Sequence, residues 1–152
     1  MALTLSDDKC RKYLLLAQET ANIFSKDEST KVGAIFLANG SHHIISMGYN
    51  GMPRGFDETK KERWERPVKY KYVEHAERNA IYNACRNGSS LEDSIAIVTL
   101  FPCCDCMRAI IQSGVKSIVT PSIPISISDE WKDNFKYSKE MADECDINIK
   151  MI

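Results

Sequence analysis

The chain has 152 residues, 43% of them apolar and 27% charged, with a formal net charge of −1. That length fits one domain, residues 1–152, with a core of useful size, and the near-neutral charge argues against a surface built to grip nucleic acid. No apolar run approaches the roughly 20 residues that cross a bilayer, and the first eight residues lack the regions of a signal peptide, so the expected setting is cytoplasmic (host cytoplasm if the gene is viral).

In chain order, Asp7 or Asp8 is expected to cap a helix running to about Phe24, with Tyr13, Leu14, Leu16, Ala17, Thr20 and Phe24 as its stripe. Residues 25–29 form a polar turn. Residues 31–37 read as a strand, Asn39-Gly40 as a hairpin turn, and residues 43–49 as the returning strand. Residues 50–71 make a long connection, dense in Gly, Pro and charge, of a length that tends to be functional. A helix over 74–86 stops at Asn87-Gly88. Then follow a strand over 94–100, a helix over 103–114, a strand over 117–120 and an irregular stretch over 121–128. Asp129 is expected to cap a last helix to about Cys145, and 148–152 make a final strand. The order α-β-β-α-β-α-β-α-β predicts an α/β fold: a three-layer α/β/α sandwich around one mixed five-stranded sheet.

Two short motifs carry the chemistry: His75-x-Glu77 and Pro102-Cys103-x-x-Cys106. They offer one imidazole, two thiols and a carboxylate. Three protein ligands leave one zinc position open, which marks catalytic rather than structural sites. Cys103 and Cys106 are three apart, so a helical turn puts both sulfurs on one face. They sit at a helix start, where the dipole favours thiolate, and Pro102 suits the first turn. Two helix starts facing each other would close a Cys2His site. Zinc with two thiolates and a neutral His is formally neutral and lowers the pKa of a bound water. Glu77 is placed to take that water's proton. The same H-x-E…P-C-x-x-C signature marks zinc-dependent nucleobase deaminases, and this implies that Glu77 delivers the proton to ring N3 and helps protonate the departing amine.

The remaining cysteines (Cys10, Cys85, Cys104, Cys145) have no framework spacing and read as free thiols in or near the core. His42 and His43 adjoin the hairpin turn and read as exposed or core-capping rather than as ligands. Glycines 48, 51 and 55 permit close backbone approach to a phosphate or base, or simply make a turn. The basic stretch from Lys60 to Lys71 reads as a solvated loop, with a phosphate approach or a subunit interface as the sharper alternatives.

The chain resembles the deoxycytidylate (dCMP) deaminase family over residues 25–119. The motifs are Ser25-Lys26-Asp27-x-Ser29-x-x-Val32-Gly33-Ala34, Gly48-Tyr49-Asn50-Gly51-Met52-Pro53-x-Gly55, His75-Ala76-Glu77-x-Asn79-Ala80-Ile81 and Leu100-Phe101-Pro102-Cys103-x-x-Cys106. The zinc motifs fit the whole cytidine-deaminase-like superfamily, and the 48–55 stretch narrows it to this branch. The resemblance implies hydrolysis of dCMP to dUMP, one catalytic zinc on His75, Cys103 and Cys106, and Glu77 as proton shuttle. It implies that Asn50 meets the substrate sugar and backbone near Ala76 the base. It further implies a homo-oligomer, a hexamer by preference, activated by dCTP with Mg2+ and inhibited by dTTP, with Lys26, Asp27, Gly48, Tyr49, Gly51 and Arg86 as effector positions. No membrane or nucleic-acid partner is expected. The alternative reading is a deaminase of dCTP, deoxycytidine or a tRNA adenosine. The chain departs from the family pattern at Arg78, where an apolar residue is usual, and over 121–128, which lacks aromatic and charged residues.

Overall fold

A computed structural model describes residues 3–152; Met1 and Ala2, the first residues of the expected 1–152 domain, lie outside the described part. The five strands are β1 (Gly33–Leu37), β2 (Ile44–Tyr49), β3 (Ile95–Val98), β4 (Ser117–Thr120) and β5 (Asn148–Met151). They form one sheet in the order β2-β1-β3-β4-β5. The hairpin strands β2 and β1 are antiparallel, as are β1 and β3, whereas β3, β4 and β5 run parallel. The mixed sheet follows from the connections: two adjacent strands joined by a tight turn must be antiparallel, and strands joined through a helix can be parallel.

The helices are α1 (Asp7–Phe24), α2 (Lys69–Tyr72), α3 (Ala76–Asn87), α4 (Cys104–Gln112) and α5 (Asp129–Glu144), with a 3-10 turn at Lys61–Trp64. Alternation along β1 sorts the two sides of the sheet. Ala34 and Phe36 pack with Ala80, Met107, Ile110 and Phe135 from α3, α4 and α5. Ile35 and Leu37 pack with Cys10 and Ala17 of α1 on the opposite side. Every residue of β1, β3 and β4 is buried, as befits strands covered on both faces. The layers are therefore one helix, the sheet, then three helices.

Several element ends differ from the sequence expectation. The caps of α1 and α5 are Ser6 and Ser128, each accepting from the third residue on, rather than Asp7, Asp8 or Asp129. A serine hydroxyl and an aspartate are equally good caps, and adjacent candidates leave the choice to the backbone. Leu16 and Phe24, expected in the α1 stripe, are exposed, while Cys10 and Ala21 are buried in their place. Cys85 and Cys145 are exposed, not core thiols. The long connection contains the 3-10 turn and α2, both too short to show a period.

Candidate active site

The sequence places His75 and Cys103 one residue before their helices begin. Both take extended cap conformations, and neither side chain makes a capping hydrogen bond. Each is thus free to point away from its own helix. Pro102 precedes the cap rather than occupying the first turn. Cys106 is the third residue of α4, one turn beyond Cys103. His75 Nδ1 lies 3.5 Å from Cys103 Sγ and 3.4 Å from Cys106 Sγ. The three donor atoms lie within 4.8 Å of one another. A tetrahedral zinc with ordinary Zn–N and Zn–S bonds separates N and S by about 3.5 Å, so the geometry fits that metal.

The electrostatics fit too. Cys103 is held as a thiolate, with its pKa lowered to about 4, first by the Cys106 thiol donating to it and then by His75. Cys106, donating and buried, is pushed the other way. His75 is raised, chiefly by its hydrogen bond with the Cys103 sulfur. The protons on His75 and Cys106 are those a metal displaces. Glu77 is buried, and burial raises its carboxyl above the ordinary value, partly offset by its own N–H and by His75. A carboxyl raised in this way holds a proton more readily than an exposed one, which suits a group that must both accept and return it.

A cleft of about 320 Å³ opens over this cluster. Its floor is His75, Ala76, Glu77 and Arg78. One wall carries Thr30, Val32 and Asn50, another Lys69, Tyr70 and Val73, and Trp131 reaches in from α5. Asn50 is rigidly held: its Nδ2 donates to Thr30 O at 2.7 Å, and its Oδ1 accepts from Val32 N at 2.9 Å and Ser25 Oγ at 3.1 Å. Behind it, Asp27 accepts from the Lys69 ammonium at 2.9 Å, a pair almost wholly out of solvent. Lys69 also donates to Ser29 Oγ at 2.8 Å.

Lys69 and Trp131 are site residues that the sequence reading missed. Lys69 was one cation among many in a stretch read as solvated. Trp131 sat beyond an irregular segment with nothing to aim it. Arg78, which stands where the family pattern has an apolar residue, binds Glu74 at 2.5 Å and reaches Asp105 at 3.8 Å. It therefore ties the starts of α3 and α4 together. Cys104 turns away, donating to Asn134 O at 3.1 Å.

A second cleft, about 380 Å³, brings together Gly48, Tyr49, Gly51 and Arg86 with Glu74. Lys26 and Asp27 are not in it. Lys26 is exposed and pairs with Glu58, and Asp27 is spent on Lys69. Gly48 explains itself differently from the expectation of ligand approach. A Cβ there would stand 2.4 Å from Ala80 N and 2.5 Å from Ala76 O, so its close neighbour is α3.

Residues 7–121 match the family model described as the cytidine and deoxycytidylate deaminase zinc-binding region. The chain belongs to the cytidine and deoxycytidylate deaminase family. Within that family it is 33% identical to an uncharacterised deaminase of Aliivibrio fischeri over 93% of this chain and 92% of that one. It is 39% identical to human deoxycytidylate deaminase over 70% of this chain, and that match spans 61% of the human protein's length. The fold is shared with the dCMP deaminase of cyanophage S-TIM5, solved with dCMP and dUMP, at a TM-score of 0.76 and 24% identity over 97% of this chain and 99% of that one. These likenesses accord with the deaminase resemblance, the zinc motif and the α/β sandwich that the sequence predicts.

Proposed function

We propose that this deaminase converts dCMP and water to dUMP and ammonia, with residues 1–152 acting as one zinc-dependent unit. The observation that carries the reading is the convergence of His75, Cys103 and Cys106 beside the buried carboxyl of Glu77, with His75 and Glu77 lining one nucleotide-sized cleft. His75, Cys103 and Cys106 would hold the zinc, which when bound lowers the pKa of a water and so supplies the nucleophile at neutral pH. Glu77 takes the proton from the attacking water and delivers it to ring N3. The same carboxyl then carries a proton to the amine leaving C4. Asn50 faces the sugar and the Ala76 backbone the base.

The second cleft supports the effector reading. Its wall includes Glu74, which is hydrogen-bonded through its backbone to Gly51 in both directions and through its carboxylate to Arg78. A nucleotide on Gly48, Tyr49, Gly51 and Arg86 would press on the residue next to His75. Activation by dCTP with Mg2+, inhibition by dTTP and assembly as a cytoplasmic hexamer complete the proposal, with no nucleic-acid or membrane partner. Asp27 backs the substrate side through Lys69, whereas Lys26 stays with Glu58 in a separate surface cleft.

Ammonia release from dCMP, with and without dCTP and Mg2+, tests both parts. Turnover that rises with dCTP supports substrate and regulation together. Turnover indifferent to dCTP removes the regulation. Turnover only with dCTP as substrate, deoxycytidine or a tRNA adenosine sinks the dCMP reading.

A further inference from the structure

Between the two clefts lies an ion network that the deamination chemistry does not use. Glu74 lines the second cleft beside Arg54 and Arg86. Arg78 and Asp105 line the substrate cleft. The three side chains therefore make a charged wall with one face on each side.

Contacts along that wall are unequal. Arg78 spends Nε and Nη2 on one oxygen of Glu74, at 2.5 Å each. Its Nη1 stands 3.8 Å from Asp105 Oδ2, beyond the roughly 2.7–2.9 Å of a charge-assisted hydrogen bond. The Arg78 and Glu74 side chains are only 20% and 26% exposed, so solvent screens their attraction in part. Arg78 can close on Asp105 only by loosening its hold on Glu74. What can yield is the Glu74 carboxylate, because its backbone is pinned to Gly51 by hydrogen bonds of 3.1 and 2.8 Å.

Each end of the wall carries a metal-ligand segment. Glu74 directly precedes His75 and accepts from its N–H at 3.1 Å. Asp105 lies between Cys103 and Cys106 in the first turn of α4. The carboxylate that holds the guanidinium thus sets how closely the starts of α3 and α4 approach. An apolar side chain at position 78 would make neither contact.

Arg54 and Arg86 suit the phosphates of a nucleotide. Glu74, the one carboxylate among the described residues lining that cleft, suits a divalent cation that accompanies them. Such a ligand binds the carboxylate better once Arg78 has let go, and differential affinity of this kind is what shifts a two-state equilibrium. We propose that Arg78 is a positioning residue that exchanges between Glu74 and Asp105, coupling a nucleotide in the second cleft to the placement of Cys103 and Cys106. This rests on the effector reading and gives it a physical route.

Cobalt(II) in place of zinc reports on the thiolates through its absorption bands. In cobalt-loaded protein saturated with dUMP, so that the substrate cleft is filled, dCTP with Mg2+ should bind with measurable heat and shift those bands. By reciprocity the same addition should tighten dUMP at least about fivefold. Asp105→Asn should keep the heat and lose both responses, with dUMP affinity changed by no more than about twofold. Glu74→Gln should show the shifted spectrum without effector, because Arg78 is already released. Arg78→Met should be uncoupled like Asp105→Asn, and Arg78→Lys should recover part of the coupling. Heat without a spectral change in the parent protein, or a response that survives in Asp105→Asn, overturns the proposal and leaves the effector reading standing. A Glu74→Gln spectrum equal to that of the unliganded parent also overturns it. No heat from dCTP with Mg2+ overturns both.

Discussion

On the proposed mechanism, single side chains divide into those that move protons and those that hold them in place. Glu77 is two residues from a ligand yet outside the cluster of donor atoms, so Glu77→Gln should lower kcat for dCMP by at least about 10²-fold with one zinc per chain retained. Ammonia release and metal analysis on one preparation check this, and loss of zinc with activity would make Glu77 a ligand. Lys69 belongs to the second kind. Removing its charge in Lys69→Met strands Asp27 out of water, at a cost of about 3–5 kcal/mol. The pH dependence has a definite sign. Burial alone would raise Asp27, but Lys69 and the Ser29 donors outweigh it and hold the pKa below 3.8. A depressed native pKa stabilises at pH above the unfolded value and is lost as pH falls through the native one. Without Lys69 the burial effect is opposed only by the Ser29 donors and the Asp27 pKa rises, so the deficit of Lys69→Met should be largest near neutrality and narrow toward about pH 4. Urea denaturation at several pH values measures it, and a deficit independent of pH would mean that Asp27 is not charged in the native pair.

At the scale of elements, what positions the site is the seating of α3 on the hairpin. Gly48 of β2 leaves no room for a Cβ against Ala76 and Ala80. Gly48→Ala should therefore cost about 1–3 kcal/mol and weaken zinc binding, because α3 must shift and His75 stands at its start. Gly51→Ala, where the nearest atom is the Tyr49 ring at 3.8 Å, should stay within about 0.5 kcal/mol. Denaturant melts and competition against a chromophoric zinc chelator compare the two, and equal effects would remove the packing argument. The same elements show what a sequence can disclose. The strands over β1, β3 and β4 were legible because each is a short apolar run bounded by turn residues, and the ligands because their spacing encodes one helical turn. Lys69 was not legible: its partner lies 42 positions away, and nothing local separates it from the other cations of its stretch. The aim of Trp131 into the cleft, and of Arg78 onto Glu74 and Asp105, likewise depends on how α3, α4 and α5 dock, which periodicity does not encode. The packing of Gly48 against α3 was not legible, because backbone permissiveness looks the same in a sequence whether the neighbour is a ligand or a helix.

Across the whole molecule, the metal ligands join two helices that otherwise meet through side-chain packing and the Arg78–Asp105 ion pair, and they do so on one face of the sheet. α1 covers the other face with a separate apolar cluster. Zinc binding to the native state adds to stability by mass action, about 4 kcal/mol at a thousandfold excess over Kd. For a chain of this size each kcal/mol moves Tm by about 2–4 °C. Complete chelation should therefore lower Tm by roughly 8–16 °C, and added zinc should restore it. The loss should be uneven. Amide exchange should quicken first at the starts of α3 and α4, where Glu74, Arg78 and Asp105 are the remaining ties, while the side of β1 and β3 that faces α1 keeps its protection. Binding also expels the protons of His75 and Cys106, so restoration by a fixed zinc concentration should be fuller at pH 8 than at about pH 6. An unchanged Tm after verified removal of the metal would mean that the three ligands are preorganised by packing alone, and that zinc contributes chemistry to this fold without contributing stability.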